Sequence, residues 1–331
     1  MPERLHAGVD IGGTKTAIVL AKDPPAIITR IAFATMPENG PEFAISLILA
    51  NLRKALLSQN LDVSDLKAIG VSCGGPLDPE LGLIEEPPNL PGWKNIQITS
   101  ILEQEFGVPS YLENDANAGA LAEHRFGSGQ GASNLIYLTM GTGIGAGLIL
   151  NGNLYRGTTY MAGEIGHVRL SDSGPVGYNK AGSVEGWASG SGIAKLARNA
   201  VENAGQTGER TILADVAEDG HLEIGLSARE VWHAAQGGDS LALEVVTTAG
   251  KMLGRAAAIL VDLFNPEVIA IGGLALRMGD TLLGPARAIV DEEAHPLSAK
   301  ACRIVPAALG EQVGDVAAIC VAIEGDAHGH K

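Results

Sequence analysis

Residues 9–14 read Val9-Asp10-Ile11-Gly12-Gly13-Thr14, with the apolar run Thr16–Leu20 behind them: strand, Gly-Thr turn, strand. Far along the chain, Thr139-Met140-Gly141-Thr142-Gly143 with Gly145–Leu150 behind it repeats that shape. A glycine hairpin turn lets backbone N–H groups crowd around an anion, because no side chain blocks the approach. The threonine hydroxyl adds a donor, and Asp10 can hold a metal ion beside phosphates, directly or through water. One such turn is commonly a tight hairpin with no ligand. Two at matching places point to two similarly built lobes facing each other across a nucleotide. A Walker P-loop is excluded: Gly-x-x-x-x-Gly-Lys-Ser/Thr is absent, and a strand rather than a helix follows the first turn. A third element, Val268–Ile271 running into Gly272-Gly273, leaves an open backbone surface where a flat adenine can lie.

The runs between these turns place the other elements. His6–Asp10, Ala17–Ala21 and Ala26–Phe33 read as strands, and Glu42–Ser58 as a helix with Ile45, Leu47, Ile48, Leu52 and Leu56 on one broad face. Ala68–Ser72 is a short buried strand leading to Cys73-Gly74-Gly75-Pro76. Three prolines make Pro87–Trp93 a rigid loop. Thr99–Phe106 and Ala116–Phe126 are predicted helices, Ser110–Glu113 and Asn134–Met140 strands. Ser227-Ala228-Arg229-Glu230 has capping-box spacing, and Ser240–Phe264 is a long helix stopped by Asn265-Pro266. Thr281–Asp291 is predicted helical, Ala301–Pro306 a strand and Val313–Ile323 the final helix, with Gly325–Lys331 a polar tail expected to fray.

The chain has 331 residues, which at roughly 100–200 residues per domain predicts two domains. A net charge of -15 argues against nonspecific nucleic-acid or membrane binding. The start, MPERLHAGVDIGG, has no long apolar run, and no stretch is long enough to span a bilayer, so a cytoplasmic protein is expected. Cys73, Cys302 and Cys320 are too far apart for a disulfide framework or a zinc ligand set, and all three are read as reduced, buried thiols.

Polar residues gather in three places. Glu113-Asn114-Asp115 lies between a strand and a helix, where the macrodipole favours a carboxylate that can take a proton from an attacking hydroxyl. A simple helix N-cap is the equal alternative for Asn114 or Asp115. Glu164 and His167 follow the Gly-rich stretch Arg156–Gly163, and Glu185 follows later; such acceptors and bidentate donors are what a sugar needs. For His167 alone, a structural histidine is the commoner outcome.

Asp10–Thr16, Asn89-Leu90-Pro91-Gly92-Trp93, Glu113–Asn117, Gly141–Gly145 and Ala162–His167 occur in that order, and together they resemble the ROK family (repressors, open reading frames and kinases) from residue 8 to about 320. The resemblance implies an α/β fold of two actin-like, ribonuclease H-like lobes with the ligand cleft between them. It implies that the last helix returns to the first lobe, giving 1–115 plus about 308–331 as the first lobe and 116–307 as the second. It implies ATP-dependent phosphorylation of a hexose or amino sugar, with Asp115 as general base. Asn114, Glu164, His167 and Glu185 would grip the sugar hydroxyls, with Gly75 and Asn89 on the sugar-side wall. Gly12, Gly13, Thr14, Lys15, Thr142, Gly143, Gly272 and Gly273 would hold ATP, and Asp10 would help place magnesium. Glucose is the first hexose to expect, ahead of fructose, allose, mannose and N-acetylated amino sugars.

Two departures from the family pattern carry consequences. Many members bear Cys-x-Cys-Gly-x-x-Gly-Cys-x-Glu, a zinc site completed by the histidine; aligned on Glu185, this chain has Val176, Tyr178 and Ser183 instead. No structural zinc is expected, and the loop 171–186 should be held by packing and hydrogen bonds. Gly74-Gly75 stands where Pro-Gly is common, which bears on the sugar-side wall. Besides a kinase, a sugar-responsive regulator and an actin-like ATPase without kinase activity remain as alternatives. The regulator's N-terminal DNA-binding domain is not expected, since Asp10 falls so close to the start. A small-molecule sugar is the expected partner, with no nucleic acid and no membrane; a homodimer stays open.

Overall fold

Leu5–Ile11 (β1) and Lys15–Ala21 (β2) are almost wholly buried and turn at Gly12-Gly13-Thr14 into an antiparallel hairpin with Asp10 opposite Ala17. The computed structural model describes residues 5–207, 210–218 and 226–328. Ile27–Ala34 (β3) extends the hairpin, alternating half-buried and exposed positions as an edge strand does. Helix α1 (Pro41–Ser58) starts on a proline and buries Ile45, Ile48, Leu52 and Leu56. Leu66–Cys73 (β4) returns parallel to β1. A small three-stranded sheet follows, of β5 (Leu77–Asp78), β6 (Leu83–Ile84) and β7 (Ile96–Gln97). Helix α2 (Ile98–Phe106) leads to β8 (Ser110–Asn114), parallel to β4.

Helix α3 (Asp115–Phe126) carries the chain to a second sheet. There β9 (Leu135–Met140), β10 (Ile144–Leu150) and β11 (Asn153–Leu154) form an antiparallel meander. The hairpin β12 (Val176–Gly177) and β13 (Lys180–Ala181) precedes α4 (Val184–Ala188) and α5 (Gly190–Thr207). Then come α6 (Ile212–Glu218), α7 (Ala228–Gln236) with its capping box at Ser227 and Glu230, and α8 (Ser240–Phe264). β14 (Val268–Ile271), α9 (Leu274–Met278), α10 (Asp280–Glu293), α11 (Pro296–Ala301) and β15 (Arg303–Pro306) complete this part, and α12 (Val313–His328) closes the chain.

The first sheet has the order β3-β2-β1-β4-β8 and the second β11-β10-β9-β14-β15. In each, three antiparallel strands are followed by two parallel ones, so the two halves share one topology. This is the two-lobed actin-like ATPase fold. Helices α3 and α12 lie together between the sheets, α12 on β1 and β4, α3 on β9 and β10. Both approach glycine floors: a Cβ at Gly70 would stand 2.2 Å from the Ala318 carbonyl, and one at Gly147 2.3 Å from that of Ala116. The fully buried Glu123 of α3 accepts N–H bonds from Ser128 (2.7 Å), Ala308 (3.1 Å) and Leu309 (2.8 Å), and so pins the segment that leads into α12.

Three expectations need correction. Ala301 ends α11 and the strand starts at Arg303, because the proline-led turn at Pro296 continues as helix to that point. The tail does not fray at Gly325: α12 runs to His328, with Gly325 packed against the Tyr111 ring and Lys67 paired to Asp326 at 2.6 Å. Residues 329–331 lie outside the described residues. All three cysteines are free, but only Cys73 and Cys320 are buried; Cys302 is half-buried. No helix among the described residues is long and apolar enough to cross a membrane.

His6 on β1 has no hydrogen-bond partner for either ring nitrogen among the described residues. Burial, reinforced by Lys67 and opposed by Asp326, lowers its pKa below 6.5. The folded state therefore binds fewer protons than the unfolded chain between that lowered value and 6.5, and stability falls as pH drops through the window. Thermal unfolding followed from pH 7.5 to 5 should show this loss, and His6→Leu should flatten that part of the profile; an unchanged profile in the variant contradicts the assignment.

Candidate active site

The turn between β1 and β2 and the turn between β9 and β10 occupy the same topological place in their sheets. The first is tied down from below: Thr35 donates its hydroxyl to the Gly12 carbonyl (2.6 Å) and its N–H to that of Thr14 (3.0 Å), and Gly12 N–H closes on Lys15 (3.0 Å). In the second, Gly141 N–H closes on Gly143 at 3.0 Å, while Gly190 and Ser191 donate to the carbonyls of Gly141 and Thr142. The carbonyls of Gly12, Thr14, Lys15, Gly141, Thr142 and Gly143 are thus engaged, while the amides of Gly13, Thr14, Thr142 and Gly143 have no acceptor among the described residues. Amides so placed suit phosphate oxygens.

One cavity of about 540 Å³ joins Gly13, Thr14, Thr142 and Gly143 to Gly75, Asn89, Asn114, Asp115, Glu164, His167 and Glu185. The turn glycines pack directly against residues on the far walls of this cavity. A Cβ on Gly13 would meet the Asn89 carbonyl at 2.6 Å, and one on Gly143 would meet Glu185 Oε2 at 2.5 Å. Gly75 lies against Asn114, whose Nδ2 would be 3.4 Å from an added Cβ. A second cavity of about 830 Å³ shares Gly141, Thr142 and Ser191 with the first and holds Gly273, Leu274, Leu226 and Val313. Gly272 is buried behind it, and Gly12 and Lys15 shape the first turn without lining either cavity. Sequence reasoning missed Tyr160, Met161 and Tyr178 in the first cavity and Lys195, Arg198 and Arg229 in the second. They sit in loops and helices with no motif of their own, and only folding brings them there.

Asn114 and Asp115 divide the two readings between them. Asn114 is the N-cap of α3, its Oδ1 accepting from Ala116 N–H at 3.0 Å. Asp115 takes the first helical position, where the same N–H reaches its Oδ1 at 2.8 Å and the second carboxylate oxygen stays available. Asp115 keeps exposed surface where it lines the cavity, but the protein atoms crowded around it desolvate its carboxylate and raise its pKa. Glu164, whose Oε2 is 3.6 Å from His167 Nε2, is likewise raised by burial.

The junction is braced by Glu113, whose side chain is only 3% exposed. It receives Arg156 Nε at 2.7 Å, Asn117 Nδ2 at 2.9 Å and the Asn114 N–H at 3.0 Å. Arg156 begins the loop that ends in Glu164 and His167, so Asp115 and that loop share one anchor.

Burial, then the charges of Asp115 and Asp315, pushes the Asp10 carboxyl up to about 7. A nearby cation would relieve that crowding. No group of three or more His, Cys, Asp or Glu side chains among the described residues converges on a metal-sized point. Magnesium needs none: it keeps waters and uses one or two carboxylates plus substrate phosphates, which Asp10 fits.

The ROK family profile matches residues 6–324. This chain belongs to the ROK family. It is 34% identical to a glucokinase of Halalkalibacterium halodurans over 95% of this chain and 93% of the relative. It is 30% identical to a xylose repressor of Caldicellulosiruptor bescii, over 86% of this chain and 69% of the repressor. A ROK family glucokinase from Streptomyces griseus, solved with glucose and AMPPNP, superposes with a TM-score of 0.78 at 31% identity, covering 97% of this chain and all of that one.

In this ROK chain the positions weighed for zinc do other work. Ser183, fully buried, caps α4 by accepting from Gly186 N–H at 3.1 Å. Val176 gives its carbonyl to Lys195 Nζ, and the Tyr178 ring makes a T-shaped contact with His167, centroids 4.4 Å apart. Trp187 Nε1 donates to Ser171 Oγ at 2.9 Å, and Gly182 N–H to Pro175 at 3.1 Å. These residues do not fit a zinc ion. Elemental analysis of the purified protein should find no stoichiometric zinc; one tightly held zinc per chain contradicts this reading.

Arg156→Met strands the Glu113 carboxylate. Breaking a buried pair costs roughly 3–5 kcal/mol, and the expected loss lies at or below the low end because Arg156 is itself 35% exposed. Urea unfolding measures it, and a loss under about 0.5 kcal/mol, as for a surface pair, would refute the bracing role.

Proposed function

We propose that this chain is an ATP-dependent sugar kinase in which Asp115 is the general base and a hexose, glucose first, is the acceptor. The observation that carries this is a single cavity holding Asp115 among Asn114, Glu164, His167 and Glu185, next to two turns whose free amides face a shared space. Phosphoryl transfer asks the protein for positioning, charge stabilisation and a base, and each has its residues here.

The sugar lies against Gly75 and Asn89 on one side and Glu164, His167 and Glu185 on the other. Asn114 and Asp115 hold the reacting hydroxyl. ATP lies in the adjoining cavity along Gly273, with its phosphates on the amides of Gly13, Thr14, Thr142 and Gly143. Asp10 would hold magnesium, which when bound neutralises phosphate charge. Asp115 takes the hydroxyl proton, the oxygen bonds to the γ-phosphorus, and the bond to ADP breaks. A raised pKa makes Asp115 a stronger base than an ordinary aspartate, so the acid limb of the kcat/KM profile should lie above the usual aspartate range.

A xylose repressor shares the family, so a regulator is the second reading. A regulator binds sugar without spending ATP, and an ATPase without kinase activity spends ATP without sugar. Sugar-dependent ADP release across a panel of hexoses and amino sugars separates all three. Asp115→Asn should lower turnover about a hundred- to ten-thousandfold while sugar binding persists. A variant retaining more than about a tenth of the activity would remove Asp115 from the role.

A further inference from the structure

The hairpin of β12 and β13 pairs Val176 with Ala181 and Gly177 with Lys180, leaving Tyr178-Asn179 as a two-residue loop. Both loop residues have positive φ, 46° and 59°. Such turns favour Asn-Gly, and a bulky residue held left-handed costs roughly 1 kcal/mol. Turn chemistry therefore gives no reason for a tyrosine at 178. The residue is 62% exposed, yet its ring meets the His167 imidazole in a T-shaped contact, at a 4.4 Å centroid distance and an interplanar angle of 65°. Both rings line the cavity that holds Asp115.

His167 has little else to orient it. Its Nε2 is 3.6 Å from Glu164 Oε2, too long for a hydrogen bond, and among the described residues its ring makes none. The same hairpin holds its main chain, through Lys180 Nζ donating to the His167 carbonyl at 2.7 Å. The hairpin is itself anchored, by Ser183 Oγ on the Gly177 carbonyl at 3.3 Å and by Lys195 Nζ on that of Val176 at 2.5 Å.

We propose that Tyr178 is a positioning residue for sugar recognition: its T-shaped ring contact sets the plane of the His167 imidazole, and so which hydroxyl arrangement the site accepts. The inference rests on the sugar-kinase reading for its substrate. An imidazole bonds in its ring plane, so tilting it moves the reach of both nitrogens. Epimers differ in one hydroxyl position, so a ring that wobbles loses discrimination as well as affinity.

The test is calorimetric sugar binding without nucleotide, for glucose and its epimers, in wild type, Tyr178→Ala, Tyr178→Phe, His167→Ala and the double variant Tyr178→Ala/His167→Ala. Tyr178→Ala should weaken glucose binding about ten- to a hundredfold and narrow the gap to the epimers, while ATP binding stays the same. Tyr178→Phe, which keeps the ring, should restore most of the loss. In the His167→Ala background, Tyr178→Ala should cost little more, because the group it acts through is gone. An unchanged glucose Kd in Tyr178→Ala, or an equal added loss without His167, overturns the proposal. The kinase reading is judged separately, by sugar-dependent ADP release, so the two fail on different measurements.

Discussion

The Glu113 carboxylate is the constraint on which the site depends. It stands one residue before the end of β8, at the edge of the first sheet, has almost no exposed surface, and is held by Arg156, Asn117 and the Asn114 amide. A carboxylate in that place is tolerable only with partners, and the partners come from different parts of the chain. Arg156 belongs to the loop bearing Glu164 and His167, Asn117 to α3, and Asn114 caps that helix. One buried charge thus fixes the direction of α3, the position of Asp115 at its first turn and the start of the loop that bears Glu164 and His167.

The cleft follows from repeating one topology. Each sheet places a glycine turn at the tip of its first hairpin, and α3 and α12 packed between the sheets turn the two tips toward a common space. The chain leaves the first sheet at Asn114 and the second sheet after Pro306. Glu123 ties the second exit to α3, the helix that begins at the first. Both exits are thereby fastened to one helix, the same helix that carries Asp115.

Local chemistry made much of this legible in the sequence. Val268–Ile271 and Ser240–Phe264 have the bounds read from apolar runs and the Asn265-Pro266 stop, because such signals act over a few residues. The repeated Gly-Thr turns appear as the equivalent hairpin tips. What stayed hidden was set by distant partners. Helix α5 begins Gly-Ser-Gly, a poor helix start by propensity, and is held by packing against α4, α7 and α8. The end of α12 is polar in sequence, yet it stays helical because Gly325 packs on Tyr111 and Asp326 pairs with Lys67. Tyr178 read only as a missing cysteine, since its contact with His167 exists only once the hairpin folds over the cavity.

The electrostatics of the cleft bear on what can enter it. Asp10 feels the charges of Asp115 and Asp315, and Glu164 feels those of Asp115 and Glu185. A free polyphosphate chain would meet this carboxylate floor as a like charge. A neutral sugar would not, and its hydroxyls can donate to the carboxylates that line the cavity, Asp115, Glu164 and Glu185. The cations lie elsewhere: Lys195, Arg198, Arg229 and Arg277 line the adjoining cavity, inside a chain whose net charge is -15. The two cavities therefore differ in sign while sharing Gly141, Thr142 and Ser191. Under the proposed reaction, that division sets the adenosine part of the nucleotide on the cationic side and the sugar on the acidic side, with the phosphates reaching from one to the other along the turn amides. The transferred group would then cross at the one place where backbone amides, carrying no net charge, form the wall.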